Sequence, residues 1–154
     1  MKAAYQSTKT YGFELGLSCA FRQWRASSHC RHLHGYSLAF RFIFEADTLD
    51  EKNWVVDFGN MKSLKQRLEM LFDHTTVIAA DDPELAYFKE GQAKGVLDLI
   101  VLADTGCEKF AEHVFMLAQE WLASNGYTPR CRVASVEVKE HGANSAVIVN
   151  KESN

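Results

Sequence analysis

The sequence predicts an α+β fold, a four-stranded antiparallel sheet with two helices on one face, formed by one domain over residues 1–154. Three observations carry the prediction. Apolar residues alternate with a period of two near both ends of the chain, and two helical periodicities lie between them. A length of 154 residues with 47% hydrophobic content suits a single core.

From Thr8 to Phe21, the residues Tyr11, Phe13, Leu15, Leu17, Cys19 and Phe21 fall on one face, which predicts a strand. From Tyr36 to Glu45, Tyr36, Leu38, Phe40, Phe42 and Phe44 alternate with Ser37, Ala39, Arg41 and Glu45, the pattern of a half-buried strand. The charged stretch Ala46 to Asn53 then leads into Trp54-Val55-Val56-Asp57, read as the returning strand of a long hairpin. Met61, Leu64, Leu68 and Leu71 recur at helical spacing after a cap at Asn60, and the helix ends near Phe72-Asp73-His74. Residues Asp81 to Gly95 read as a polar surface loop. Thr105-Gly106-Cys107-Glu108 has capping-box form and opens a helix carrying Phe110, Ala111, Val114, Phe115, Leu117, Ala118 and Trp121. Asn125-Gly126 and Pro129 stop it. Ala134, Val136 and Val138 then alternate with polar residues, and Ala146 to Val149 supplies a short partner strand.

A formal charge of −3 leaves no basic footprint, so neither nucleic acid nor an anionic membrane is the expected partner. A small molecule is. Residues Met1 to Thr10 match neither a signal peptide nor a transit peptide, and no apolar run has the length of a membrane span, so a cytoplasmic location is expected. There the four cysteines are thiols.

The densest chemistry is Ser28-His29-Cys30-Arg31-His32-Leu33-His34-Gly35-Tyr36, three histidines and a thiol within seven positions. If Arg31 to Tyr36 is extended, His32, His34 and Tyr36 share a face, with Cys30 at the strand's entrance. Imidazole and thiolate suit zinc, which needs three or four ligands converging at about 2.0 to 2.3 Å; the competing reading is a solvated, positively charged loop. Asp73-His74 reads either as an acid–base pair or as a helix C-terminus with an imidazole near the negative dipole end. Glu140, at a strand end, reads as an exposed carboxylate or as an acceptor for a guanidinium-like edge of a heterocycle.

Taken in order, Leu17-Ser18-Cys19-Ala20-Phe21, Cys30-Arg31-His32-Leu33-His34-Gly35-Tyr36, Asp57-Phe58, Asp73-His74, Thr105-Gly106-Cys107-Glu108 and Lys139-Glu140 resemble the pterin synthase family, which holds 6-pyruvoyl- and 6-carboxytetrahydropterin synthases. The resemblance runs from Tyr11 to Val149. It implies the tunnelling fold, in which subunits close into an oligomeric barrel, typically a homohexamer of two trimers with active sites between subunits. It also implies a pterin substrate, 7,8-dihydroneopterin triphosphate. By the same resemblance Cys30 is the catalytic thiol, Asp73 and His74 partner it, and Glu140 binds the pterin ring. The compact cysteine–histidine motif is most similar to the bacterial branch, a carbon–carbon lyase that makes 6-carboxytetrahydropterin on the way to queuosine.

The family's zinc cofactor is held by three histidines, and the matching positions here are Phe21, His34 and Tyr36. Three readings follow. A rebuilt metal set would join His34 to His32, with Cys19 or His29 added. A metal-free enzyme would act on a related pterin through Cys30, Asp73, His74 and Glu140. A pterin-binding or oligomeric protein would bind without turnover.

Overall fold

The computed structural model describes residues 3–153, and its elements begin and end where the apolar alternation holds and breaks. Residues 1, 2 and 154, the ends of the predicted domain, lie outside the described residues. The order is β1 (Tyr5–Tyr11), β2 (Leu17–Phe21), β3 (His34–Ala46), α1 (Lys62–Phe72), β4 (Thr75–Ala79), α2 (Leu85–Ala93), β5 (Leu99–Leu102), α3 (Cys107–Ser124), β6 (Cys131–His141) and β7 (Asn144–Val149). The α+β class holds. The predicted counts of four strands and two helices do not, because there are seven strands and three helices among the described residues.

The long strand β3 organises the sheet, whose order is β5-β4-β2-β3-β6-β7 with β1 also paired to β3. One edge of β3 is shared by two strands lying end to end: β1 pairs antiparallel with Phe40 to Ala46 and β2 with His34 to Leu38. The single strand expected over Thr8 to Phe21 is therefore broken. The break is a 3-10 turn, Phe13–Leu15, closed by Gly16 at φ 71, a left-handed conformation that glycine adopts without strain. On its other edge β3 pairs with β6, and β6 pairs with β7.

The sheet is mixed and not purely antiparallel, since β2–β4 and β4–β5 are parallel. All five residues of β4 are buried, as befits a strand covered on both faces. Part of its cover is α2, which lies in the stretch expected to be a loop and packs against β4 and β5 while burying Phe88. The expected strand at Trp54 to Asp57 does not form. Val55 and Val56 are both buried, so alternation fails, and the Trp54 and Val55 carbonyls have other partners. Arg130 donates to the carbonyls of Trp54 and Val55 at 3.3 and 2.7 Å, and the Cys131 thiol also reaches Val55.

Helices α1 and α3 lie over the apolar face of β3. Phe40 meets Phe72 at 5.1 Å between ring centroids, Phe72 meets Phe110 at 5.3 Å, and Phe44 meets Trp121 at 5.5 Å. Each phenylalanine buried in this way contributes roughly 2 to 3 kcal/mol. Both predicted helix caps are corrected. Asn60 donates its amide to Asn125 at 2.9 Å and leaves Met61 at the N-cap of α1. Thr105 spends its hydroxyl on the Arg22 carbonyl at 2.6 Å, so α3 begins from Gly106 without a side-chain cap.

Candidate functional site

The site forms where β2 and β3 pair, at the end nearest the cysteine–histidine motif. The register places Phe21 opposite His34, Ala20 opposite Gly35 and Cys19 opposite Tyr36. Phe21, Cys19, His34 and Tyr36 thus share one face, while Gly35 lies between them on the other. A Cβ at Gly35 would come within 2.5 Å of the Cys19 carbonyl, so only glycine permits this close pairing. The rings form one cluster: Phe21 to His34 at 5.1 Å, Phe21 to Phe110 at 5.0 Å, His34 to Tyr36 at 5.6 Å and Tyr36 to His141 at 5.8 Å.

Cys30 enters differently from the extended segment expected for Arg31 to Tyr36. His29–Arg31 is a 3-10 turn, and the Ser28 hydroxyl accepts the Cys30 N–H. Strand β3 begins only at His34. The turn is held by Arg22, whose guanidinium grips Asp82 through two 2.7 Å bonds and the Arg31 carbonyl through one of 3.2 Å. The Gln23 N–H also donates to the Cys30 carbonyl at 2.9 Å. Asp82 is buried, and the Arg22 guanidinium beside it holds its carboxyl below the usual range.

Glu140 sits where the β6–β7 register shifts between Lys139 and His141. Such a bulge re-aims a side chain. The Glu140 carboxylate interacts with the Cys107 thiol in the first turn of α3, and burial followed by this carboxylate pushes that thiol up. Burial, then Glu140, Cys30 and Cys107, raise the Tyr36 phenol in turn. Cys30, Tyr36, Cys107 and Glu140 therefore form one electrostatic neighbourhood. A partly exposed thiol beside a carboxylate and a phenol can move protons and grip an N–H-rich heterocycle. Cys19, by contrast, is buried beneath the sheet and its thiol is pushed up to about 12, chiefly by burial.

Asp73 and His74 do pair, with His74 Nδ1 at 2.6 Å from the Asp73 carboxylate. The pair lies at the exposed end of α1, where His74 has φ 57 and a side chain that is 85% exposed. Thr75 follows it in β4 and pairs with Cys19, which pairs with Tyr36, so the backbones of Thr75 and Tyr36 stand two strand spacings, roughly 10 Å, apart. Neither residue hydrogen-bonds to Cys30, Tyr36 or Glu140 among the described residues.

His32 and His34 are not brought into one metal set. His34 donates its Nδ1–H to the His32 carbonyl, 2.7 Å away, and its ring lies within the cluster. The His32 ring lies instead in a groove of about 500 Å³ with Arg31, Trp24 and Tyr87. Among the described residues no three His, Cys, Asp or Glu side chains are grouped to hold a metal ion. At the three positions the resemblance assigns to zinc, Phe21 offers hydrocarbon and Tyr36 a phenol raised above its ordinary value, so the donor set does not fit zinc. Sequence reasoning missed Arg22, Asp82, Cys107 and His141. His141, adjacent to Glu140, and Cys107, inside the Thr105-Gly106-Cys107-Glu108 motif, carried a visible signal; the Arg22–Asp82 pair joins positions 60 residues apart.

Known proteins resemble the chain in sequence and in fold. A curated relative, 6-carboxy-5,6,7,8-tetrahydropterin synthase of Aquifex aeolicus (strain VF5), is 27% identical over 97 residues, 56% of this chain and 60% of the relative. The match thus spans about three fifths of that relative's length. Among solved structures, an uncharacterized protein from Wolinella succinogenes superposes with a TM-score of 0.80 at 20% identity, covering 97% of this chain and 99% of that one. A Plasmodium vivax 6-pyruvoyltetrahydropterin synthase gives 0.67 at 13% identity, with 95% and 97% covered. These structures share the fold. The family model described as 6-pyruvoyl tetrahydropterin synthase matches residues 12–152, and the chain belongs to that family.

Proposed function

We propose that the chain is a 6-carboxytetrahydropterin synthase-like carbon–carbon lyase acting on 7,8-dihydroneopterin triphosphate. The observation that carries this reading is that the Tyr36 ring, 5.6 Å from His34 and 5.8 Å from His141, joins the end of the β2–β3 pair to the register shift that holds Glu140, in a chain whose residues 12–152 match the family. Glu140, aimed by its bulge, accepts N–H donors from the pterin's guanidinium-like edge, and the Cys30 thiol exchanges protons at the side chain. Asp73 and His74 stand on the exposed end of α1, so in this reading they complete the site of a neighbouring copy in a homohexamer of two trimers. No helix among the described residues is long and apolar enough to cross a membrane, which agrees with a cytoplasmic enzyme supplying the queuosine pathway. Zinc, the cofactor implied by the resemblance, takes part in no step of this reading, because Phe21 and Tyr36 do not supply its ligands.

The test is to incubate the purified chain with 7,8-dihydroneopterin triphosphate and to analyse products by mass. Release of 6-carboxytetrahydropterin, acetaldehyde and triphosphate is the expected result. Intact substrate after saturation would end the lyase assignment and leave a different pterin reaction or binding without turnover.

A further inference from the structure

The face of β2 and β3 that bears Phe21, His34 and Tyr36 is built as aromatic packing and not as a cation cage. Phe21 has no exposed surface, and its ring lies edge-on to Phe110 at 5.0 Å, 5.1 Å from His34 and 6.2 Å from Tyr36. A cation set among these rings would exchange its hydration for a single imidazole and hydrocarbon, which is strongly unfavourable. That imidazole donates its Nδ1–H to the His32 carbonyl, so Nε2 is the one nitrogen it could offer.

Tyr36 differs from its neighbour. It is half-buried, and its hydroxyl has no protein hydrogen-bond partner among the described residues. Around it stand His34, His141, Cys30, Cys107 and Glu140. A phenol with an ordinary pKa near ~10 is a neutral donor at physiological pH, so it suits an oxygen acceptor as Glu140 suits N–H donors.

We propose that the Tyr36 hydroxyl donates a hydrogen bond to a side-chain oxygen of the bound pterin, at a site where Phe21 and Tyr36 stand at positions that the resemblance assigns to zinc. The proposal rests on the pterin reading above and adds a specificity-determining residue to it. Tyr36 holds the substrate's side chain while Glu140 holds its ring. Phe21 packs beside Tyr36 with no exposed surface, and the site works without a metal.

Two measurements test this. In the first, the chain is loaded with zinc, desalted and assayed for bound metal beside the Phe21→His/Tyr36→His double variant. The wild type should retain substoichiometric zinc and the double variant one ion per chain, held with His34 by three imidazoles. One zinc per wild-type chain, released by His34→Ala, would overturn the metal-free half. In the second, binding of 7,8-dihydroneopterin and of unsubstituted pterin is titrated with wild type and Tyr36→Phe. Loss of one hydrogen bond should weaken dihydroneopterin about tenfold and leave pterin unchanged. An equal loss for both ligands, or none for either, would overturn the hydroxyl's role. If wild type binds neither ligand, the pterin reading itself fails and takes the hydroxyl's role with it, while the zinc measurement still decides the metal half.

Discussion

The two sides of the candidate site are held together by different physics. On one side Phe21, His34, Tyr36 and Phe110 are joined by ring packing, continuous through Phe72 with the core over β3. On the other, the Cys30 turn is suspended from directional bonds, with Arg22 clamped to Asp82 and to the Arg31 carbonyl and Thr105 bonded to the Arg22 carbonyl. A packed side tolerates exchange of one ring for another of similar volume, whereas a bonded side fails when one partner leaves a buried group unmet. In the proposed reading, that difference accounts for hydrocarbon and phenol at two of the three positions the resemblance assigns to zinc, beside a thiol and a carboxylate at the positions it assigns to chemistry.

Substitutions on each side should separate the two. The largest effect belongs to Cys30→Ala, which should lower kcat about 1,000-fold with pterin binding nearly unchanged, as read by single-turnover assay and by titration. Phe110→Ala should destabilise the chain by about 4 kcal/mol in denaturant unfolding, because it opens a cavity between Phe21 and Phe72. Arg22→Ala should cost about 3 kcal/mol, since it leaves the buried Asp82 carboxylate without its partner.

Acid should act through the same carboxylate. Its folded pKa lies below the unfolded value, so its contribution is complete above the ordinary carboxylate pKa near ~3.9 and is lost as the pH falls through the folded value. Asp82→Asn should therefore flatten the acid limb of the stability profile, and an unchanged limb would place the sensitivity elsewhere. The smallest effect is expected far from the site, on α2. Lys94→Ala removes an exposed pair with Glu90 and should shift stability by about 0.3 kcal/mol at most.

What was legible in the sequence depended on whether an element faces water on one side. Strands β3, β6 and β7 and helices α1 and α3 each bury one face, so their periodicity could be read. Strand β4 is buried throughout and β5 is four residues long, so neither alternates; α2 buries only Phe88 and resembles a polar loop. The hairpin reading of Trp54 to Asp57 failed because Arg130, far along the chain, takes the carbonyls a neighbouring strand would need. Within the site, the ordered motifs pointed to Cys30, Glu140 and the Asp73–His74 pair. The Arg22–Asp82 clamp and the Cys107–Glu140 contact depend on tertiary approach, which local spacing does not encode.

The most direct test of the proposed pterin site is calorimetric titration of a reduced pterin into wild type and Glu140→Gln. One ligand should bind per wild-type chain, and the variant should bind about 100-fold more weakly, the scale of a lost hydrogen bond to a charged group. Equal affinity for the two proteins would contradict the account, because the carboxylate aimed by the β6–β7 bulge would then play no part in holding the ring.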